Sequence, residues 1–315
     1  MTIVFKVSEN VQKKMEEFYK DLYRDKFPPY SIFQAQSADV IITLYESGKV
    51  MFQGVSADIE ANIWKDQERH LNNRDIDKEL KKIEDKKEEK KKENNLNFYN
   101  MSTIGSDEVG TGDYFGPIVV TATYVSKKDE IFLRDLGVKD SKALTDEKII
   151  EIAKELIKKV NYKTFILTNK DFNDYTKKGY NMNKIKAILH NKVLYSIKEN
   201  HMNDYDKIVV DQFVYPKKYF EHINEATNKV TDISFTPRAE SKCLSVACSS
   251  IISRYIFLHE MDKLSKELNI TLPKGANDIV DDIGFEIVKK YGFDKLYEVA
   301  KINFKNTEKI KDKME

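Results

Sequence analysis

Two adjacent carboxylates, Asp107 and Glu108, lie in the stretch TIGSDEVGTGDYFGPIVV (residues 103–120), between two runs that read as strands. A buried sheet ordinarily carries neutral residues at such a position, so the pair invites a chemical explanation. A third carboxylate, Asp211, directly follows the apolar run KIVV, and a fourth, Glu240, precedes a long run of small and aliphatic residues with helical character. If the two strands are neighbours, their terminal carboxylates converge although about a hundred residues separate them in the chain. Like carboxylates at close range raise one another's pKa and call for a counter-charge. Hard oxygen donors suit Mg²⁺, and two such ions roughly 3.5–4 Å apart suit phosphodiester hydrolysis. Surface charge is the alternative reading of an isolated Asp-Glu pair, and the residue pattern leaves both open.

Glycines surround the pair. Gly105, Gly110, Gly112 and Gly116 permit tight turns and a close approach of backbone amides to a ligand, or an ordinary strand connection. The loop is not a nucleotide fingerprint, since GxGxxG is absent and no Walker lysine follows. Further on, KDSKALTDEK places Ser141 and Lys142 ahead of a helix, where Lys142 can meet a phosphate; a solvated loop charge is the plainer reading of that pair. Cys243 and Cys248 are the only cysteines and lack CxxC spacing, which supports neither a disulfide framework nor a zinc site. His259 has no second histidine at metal-binding spacing, and no Ser/His or Cys/His arrangement offers a covalent nucleophile.

The elements that must position these groups are legible in outline. Val11, Met15, Phe18 and Leu22 recur at spacings of three and four, as in an amphipathic helix. YSIFQAQSADVIITLYESGKVMFQG reads as short strands with a hairpin turn at ESGK, and SADIEANIWKDQERHL as a second helix. Residues 1–85 therefore form a small α+β domain with its own core, and residues 86–97, almost all charge and asparagine, form a linker. Residues 98–315 alternate strands with helices, which predicts a layered α/β domain whose first two strands can pair antiparallel. Thr145 is placed to cap the helix that follows it. The run RAESKCLSVACSSIISRYIFLHEMDKL reads as a long helix packed on the sheet, with Ser245 and Ser249 suited to close helix–sheet approach.

Bulk composition narrows the class without identifying the partner. Lys plus Arg number 53 against 52 for Asp plus Glu, so net charge does not announce a nucleic acid, although a local phosphate-binding surface remains compatible with it. No apolar run approaches the roughly 20 residues of a membrane helix, and the N-terminal stretch lacks the pattern of a secretory signal. A cytoplasmic location with no membrane partner and no obligate protein partner is the expectation.

Taken in order, IGSDEVGTGDYFGP, DSKALTDEK, VVDQF, RAESKCLSVACSSIISRY and LPKGA resemble the type 3 ribonucleases H, within the type 2 ribonuclease H superfamily, across both domains. The resemblance implies a ribonuclease H-like α/β catalytic domain with a mixed central sheet and flanking helices, preceded by an α+β domain resembling half of a TATA-binding protein whose sheet helps bind the substrate. It implies endonucleolytic hydrolysis of the RNA strand of an RNA/DNA hybrid by two Mg²⁺ ions, with Mn²⁺ as an alternative. Asp107, Glu108, Asp211 and Glu240 match the catalytic and metal-ligating carboxylates, with Asp107 shared by both ions, Asp211 on the attacking-water side, Glu108 at the second ion, and Glu240 standing where relatives often carry aspartate. Gly110, Thr111 and Gly112 match the type 3 version of a loop that contacts ribose 2′-hydroxyls, where type 2 enzymes carry Gly-Arg-Gly. Ser106, Ser141 and Lys142 would add polar or phosphate contacts, and Tyr30, Phe33 and Tyr45 are candidates for the N-terminal binding surface or, for Phe33 above all, its core.

Overall fold

The computed structural model describes residues 1–26, 28–84, 97–138 and 144–314. It divides into two compact units, Met1–Asn94 and Asn95–Glu315. Apart from Asn97, the linker expected at residues 86–97 lies outside the described residues.

The first unit is an antiparallel sheet of four strands, β1 (Thr2–Lys6), β2 (Ser31–Ser37), β3 (Val40–Tyr45) and β4 (Lys49–Gln53), in the order β1-β4-β3-β2. β1 is not among the elements expected from the sequence; its five residues carry little pattern alone, and pairing with β4 makes the strand. Strand alternation puts Ile3, Phe52, Ile42 and Ala35 in one cross-strand row and Val4, Met51, Thr43 and Gln34 in the next. The first row joins the core formed with helices Glu9–Tyr19 and Ala57–Asn72, including Trp64. On the other face lie Lys6, Lys49, Gln36 and Gln53, all exposed. The first helix buries Val11, Met15 and Tyr19, a pure i, i+4 stripe, so the expected Phe18 and Leu22 do not belong to it. Phe18 is 59% exposed and lies edge-on to Trp64, and Leu22 falls beyond the helix end. Phe33 is a core residue, whereas Tyr30 is exposed.

The second unit is built on a mixed sheet of β5 (Thr103–Val109), β6 (Ile118–Val125), β7 (Asn161–Leu167), β8 (Lys207–Asp211) and β9 (Ile233–Thr236), in the order β7-β6-β5-β8-β9. β7, β6 and β5 run antiparallel, while β5, β8 and β9 run parallel. Parallel pairing needs long crossovers, and helices Asn169–Lys177 and Met182–Lys198 supply the passage from β7 to β8. Helix Met182–Lys198 packs on β5, β6 and β7, and the 25-residue helix Leu244–Leu268 packs on β5 and β6. The hydroxyl of Thr145 caps helix Asp146–Lys159 by accepting the Lys148 N–H. Among the described residues, no helix is long and apolar enough to cross a membrane.

The long helix meets the sheet through a stripe of buried serines, Ser245, Ser249 and Ser253, spaced four apart. The Ser249 hydroxyl donates to the Gly105 carbonyl at 2.9 Å, Ser253 to Thr121 Oγ1 at 2.9 Å, and Ser245 Oγ lies 2.8 Å from Thr103 Oγ1. Ser245 and Ser249 are therefore packing residues that satisfy buried polar groups. Gly105 is what lets the two surfaces touch: a Cβ there would stand 2.5 Å from both Ser245 Oγ and the Val246 amide nitrogen. Gly105→Ala should therefore force the helix off the sheet and lower stability by on the order of 1–3 kcal/mol, as overpacking does. A denaturant midpoint equal to that of the parent protein would show that the helix yields without cost.

Candidate active site

The parallel register of β5 and β8 pairs Thr103 with Lys207 and ends on Ser106 with Val210, so that Asp107 and Asp211 are the next residues on adjacent strands. They emerge at the carboxyl ends of parallel strands beside the point where the sheet changes direction, the usual place for a ligand in an open α/β sheet. Both line a cavity of about 480 Å³, together with Glu108 and the Gly110-Thr111-Gly112 loop. Alternation along β5 sends the adjacent carboxylates to opposite faces. Asp107 lies on the side of the long helix, where Ser250 bonds its carboxylate and the Glu108 N–H donates to Oδ1 at 2.9 Å. Glu108 lies on the side of helix Met182–Lys198, with Lys186 Nζ 2.5 Å from Oε1 and His190 Nε2 2.8 Å from Oε2.

The two faces give the neighbours opposite electrostatics. Burial raises the pKa of Asp107, and the charges of Glu108 and Asp211 push it further in the same direction. Burial acts upward on Glu108 too, but the His190 hydrogen bond, with the charges of His190 and Lys186, outweighs it and holds this carboxyl below its ordinary value. Behind them the fully buried Ser106 meets His190 Nδ1 at 2.7 Å, and Phe213 stacks against the imidazole while receiving Lys186 Nζ 4.0 Å above its ring. Ser106 therefore orients His190; it is fully buried one pair of residues back along the strand and is not among the residues lining the cavity.

One turn along the long helix from Ser250 a second charge group appears. Arg254 of the long helix reaches Asp146 with Nε at 2.9 Å and a terminal nitrogen at 3.2 Å, and Lys274 of the LPKGA motif joins the same carboxylate. The Arg254 hydrogen bond, aided by Lys274, holds the Asp146 carboxyl below its usual range despite partial burial. Asp146 and Arg254 line the cavity, and Lys274, which is not among its lining residues, brings a second cation to the same carboxylate.

The glycine loop divides by function. Gly110 has φ +96°, and a Cβ there would sit 2.1 Å from the Pro117 carbonyl oxygen, so the fold itself demands glycine. Gly112 lacks a positive φ, and among the described residues no atom lies within 4 Å of where its Cβ would be, which leaves room for a close external approach.

Of the carboxylates expected to converge, Asp107, Glu108 and Asp211 share the cavity, whereas Glu240 is not among its lining residues. Glu240 is buried in a separate turn, Ala239–Ser241, that precedes the long helix and does not form its head. The turn docks on the site through the Ala239 N–H, which donates to Asp211 Oδ1 at 3.0 Å. Ser141 and Lys142 lie outside the described residues. His259 is exposed, and Cys243 and Cys248 are free and buried. Sequence reading missed Lys186 and His190, although their i, i+4 spacing places them on one helix face. It also missed Asp146, Arg254 and Lys274, whose contact joins three segments distant in sequence.

Asp107 and Asp211 offer hard oxygen donors, and the crowding that raises Asp107 is what a divalent cation relieves, so the donor chemistry fits such an ion. Among the described residues no three His, Cys, Asp or Glu side chains gather around one point as a ligand cluster. Glu108 has both oxygens engaged by Lys186 and His190.

Residues 104–307 match the Ribonuclease HII family, and residues 2–75 match a domain family of unknown function, DUF3378. Ribonuclease HIII of Bacillus licheniformis is 42% identical to this chain, the similarity covering 98% of the chain and 97% of that protein. Ribonuclease HIII of Bacillus pumilus is 41% identical over 98% of each. Among solved structures, Bst-RNase HIII in complex with Mn²⁺ aligns with a TM-score of 0.67 at 33% identity, covering 99% of this chain and 98% of that one. Ribonuclease H2 from Pyrococcus horikoshii aligns with a TM-score of 0.56 at 26% identity, covering 68% of this chain and 98% of that one.

An aspartate whose folded-state pKa is raised binds more protons folded than unfolded, so stability falls as pH rises from about 4 toward that raised value. Asp107→Asn removes the charge while keeping an oxygen for the Glu108 N–H. In chelator at neutral pH the variant should melt above the parent, by about 2–4 °C for each kcal/mol relieved, and the gap should close toward pH 4. A lower melting temperature at neutral pH would contradict the crowded, desolvated environment assigned to Asp107.

Proposed function

The chain belongs to the ribonuclease HIII family, within the type 2 ribonuclease H superfamily, and on that premise we propose that it hydrolyses the RNA strand of RNA/DNA hybrids endonucleolytically, leaving 5′-phosphate and 3′-hydroxyl ends. The observation that carries this reading is the adjacency of Asp107 and Asp211 in a cavity that also takes in Gly110, Thr111 and Gly112. Two carboxylates forced together at the end of a sheet are poised for cations, and a glycine loop on the same cavity is poised for a sugar–phosphate backbone.

Asp107 and Asp211 would hold divalent metal, Mg²⁺ or Mn²⁺, with Glu108 serving the second ion and Glu240 bracing the Asp211 side from its turn. The bound ions supply a lowered pKa for water and charge neutralisation at the scissile phosphate. Lys186 and His190 keep Glu108 anionic and fix where its oxygens point. Arg254 and Lys274, joined through Asp146, would offer cations to the hybrid's phosphates, and Lys142 would add another. Backbone groups of Gly110, Thr111 and Gly112 would read ribose 2′-hydroxyls, which only the RNA strand provides. The open face of the N-terminal sheet, with Lys6, Lys49, Gln36 and Gln53, would contribute hybrid affinity in the manner of the half-TATA-binding-protein domain that the resemblance implies. Removal of RNA primers or persistent hybrids during DNA replication and repair in the cytoplasm is the role that fits this activity.

End-labelled cleavage tests the reading. A short RNA/DNA hybrid should be cut at several positions in its RNA strand with Mg²⁺ or Mn²⁺, not in chelator, and duplex DNA containing one ribonucleotide should be cut poorly. Asp107→Asn and Asp211→Asn should each lose at least about a hundredfold in rate while remaining folded, as expected when groups essential to metal-ion catalysis are removed. Efficient incision at the lone ribonucleotide would move the activity to the type 2 class, and binding without cleavage would make this a hybrid-binding protein.

A further inference from the structure

Lys301 is fully buried, an unusual state for a lysine, and among the described residues no carboxylate takes its charge directly. Its Nζ donates to two backbone carbonyls of one loop, Asp113 at 2.8 Å and Gly116 at 2.6 Å. Burial pulls the amine down to about 7, partly offset by the Asp113 charge, so the side chain occupies this place against its own solvation. The loop it grips continues directly from Gly110-Thr111-Gly112.

Further contacts bind the same loop to the same C-terminal segment. The Lys301 N–H donates to the Tyr114 carbonyl at 2.8 Å, and the Gly116 N–H donates to the Val299 carbonyl at 3.1 Å. The Tyr114 hydroxyl meets Thr307 Oγ1 at 2.9 Å. Across the loop, the Gly275 N–H donates to Asp113 Oδ1 at 2.7 Å, and the Tyr114 N–H donates to the Gly275 carbonyl at 2.8 Å. Residues 113–116 are thus suspended between two distant parts of the chain, with two carbonyls turned inward onto one nitrogen. An apolar side chain at 301 would leave both carbonyls buried without their partner, and the loop would have to rearrange to satisfy them.

We propose that Lys301, acting with the segment Val299–Thr307, is a positioning residue that fixes Gly110-Thr111-Gly112 in the conformation that distinguishes a ribose-containing strand from DNA. The proposal rests on the reading of this cavity as a hybrid site. It places a determinant of substrate discrimination in the C-terminal region, remote in sequence from every carboxylate of the site, and assigns Lys301 no part in the chemical step.

The test uses the full chain and compares binding, in chelator, of a short RNA/DNA hybrid and a DNA duplex of the same sequence, alongside KM and kcat for hybrid cleavage with Mg²⁺. Lys301→Met should lower the hybrid-to-DNA affinity ratio and raise KM by on the order of ten- to a hundredfold, the scale of displacing a positioning element by about an ångström. Saturating kcat should change much less. Tyr114→Phe and Thr307→Val, which each delete one hydroxyl of the second tether, should move the ratio in the same direction by a smaller factor. If Lys301 merely stabilises the fold, the melting temperature and the active fraction fall while the ratio and KM per active molecule stay at the parent's values, and the proposal is overturned. Should Lys301→Met fail to fold, unchanged ratios in both hydroxyl variants overturn it equally. A parent protein with no preference for the hybrid would instead reject the functional reading on which the inference stands.

Discussion

The structure depends on one enforced proximity. Parallel pairing of β5 with β8 leaves Asp107 and Asp211 as next neighbours across two strands, one residue past the last pair between them, while Asp107 is held by Thr121 of β6 and Asp211 by Thr236 of β9. Neither residue can move away without dissolving the register of the sheet centre, and Asp107 is desolvated as well as crowded. The sheet is stable in spite of these carboxylates, which marks them as a local conflict between folding and chemistry.

Much of the surrounding architecture contains that conflict. Because β5 alternates, the charge of Glu108 is carried to the far face of the sheet, where Lys186 and His190 balance it and Ser106 and Phe213 hold the imidazole. On the near face, Ser250 bonds Asp107 while the serine stripe of the long helix closes the remaining polar groups of the strands. Gly105 admits the helix to this distance, so one missing side chain on β5 decides how near the long helix comes to the site. Asp146 does for Arg254 and Lys274 what Lys186 does for Glu108.

The glycine loop has a different mechanical basis from the carboxylates. Strand register fixes the carboxylates, whereas the loop takes its shape from residues near 275 and 299–307, through backbone bonds and one buried lysine. The carboxylates and the glycine loop thus rest on separate supports that meet at Val109–Gly110. The N-terminal unit has its own core and its own open sheet face.

The sequence alone determined the two-part organisation, the alternation of strands and helices, and which carboxylates and glycines carry the resemblance, because these are local patterns of period, turn chemistry and motif order. Some local patterns misled: Phe18 matches a helical spacing but flanks the buried stripe, and RAES reads as the start of a helix although it forms a separate turn. Tertiary structure alone decided that β5 and β8 pair in parallel, that Asp107 and Glu108 face opposite environments, and that Glu240 lies in a turn bonded to Asp211 and is not among the residues lining the cavity. It alone brought Lys186, Arg254 and Lys301 to the loop and the carboxylates. Each of these depends on contacts between segments tens to hundreds of residues apart, and a charged side chain's spacing in sequence carries no record of the partner that neutralises it.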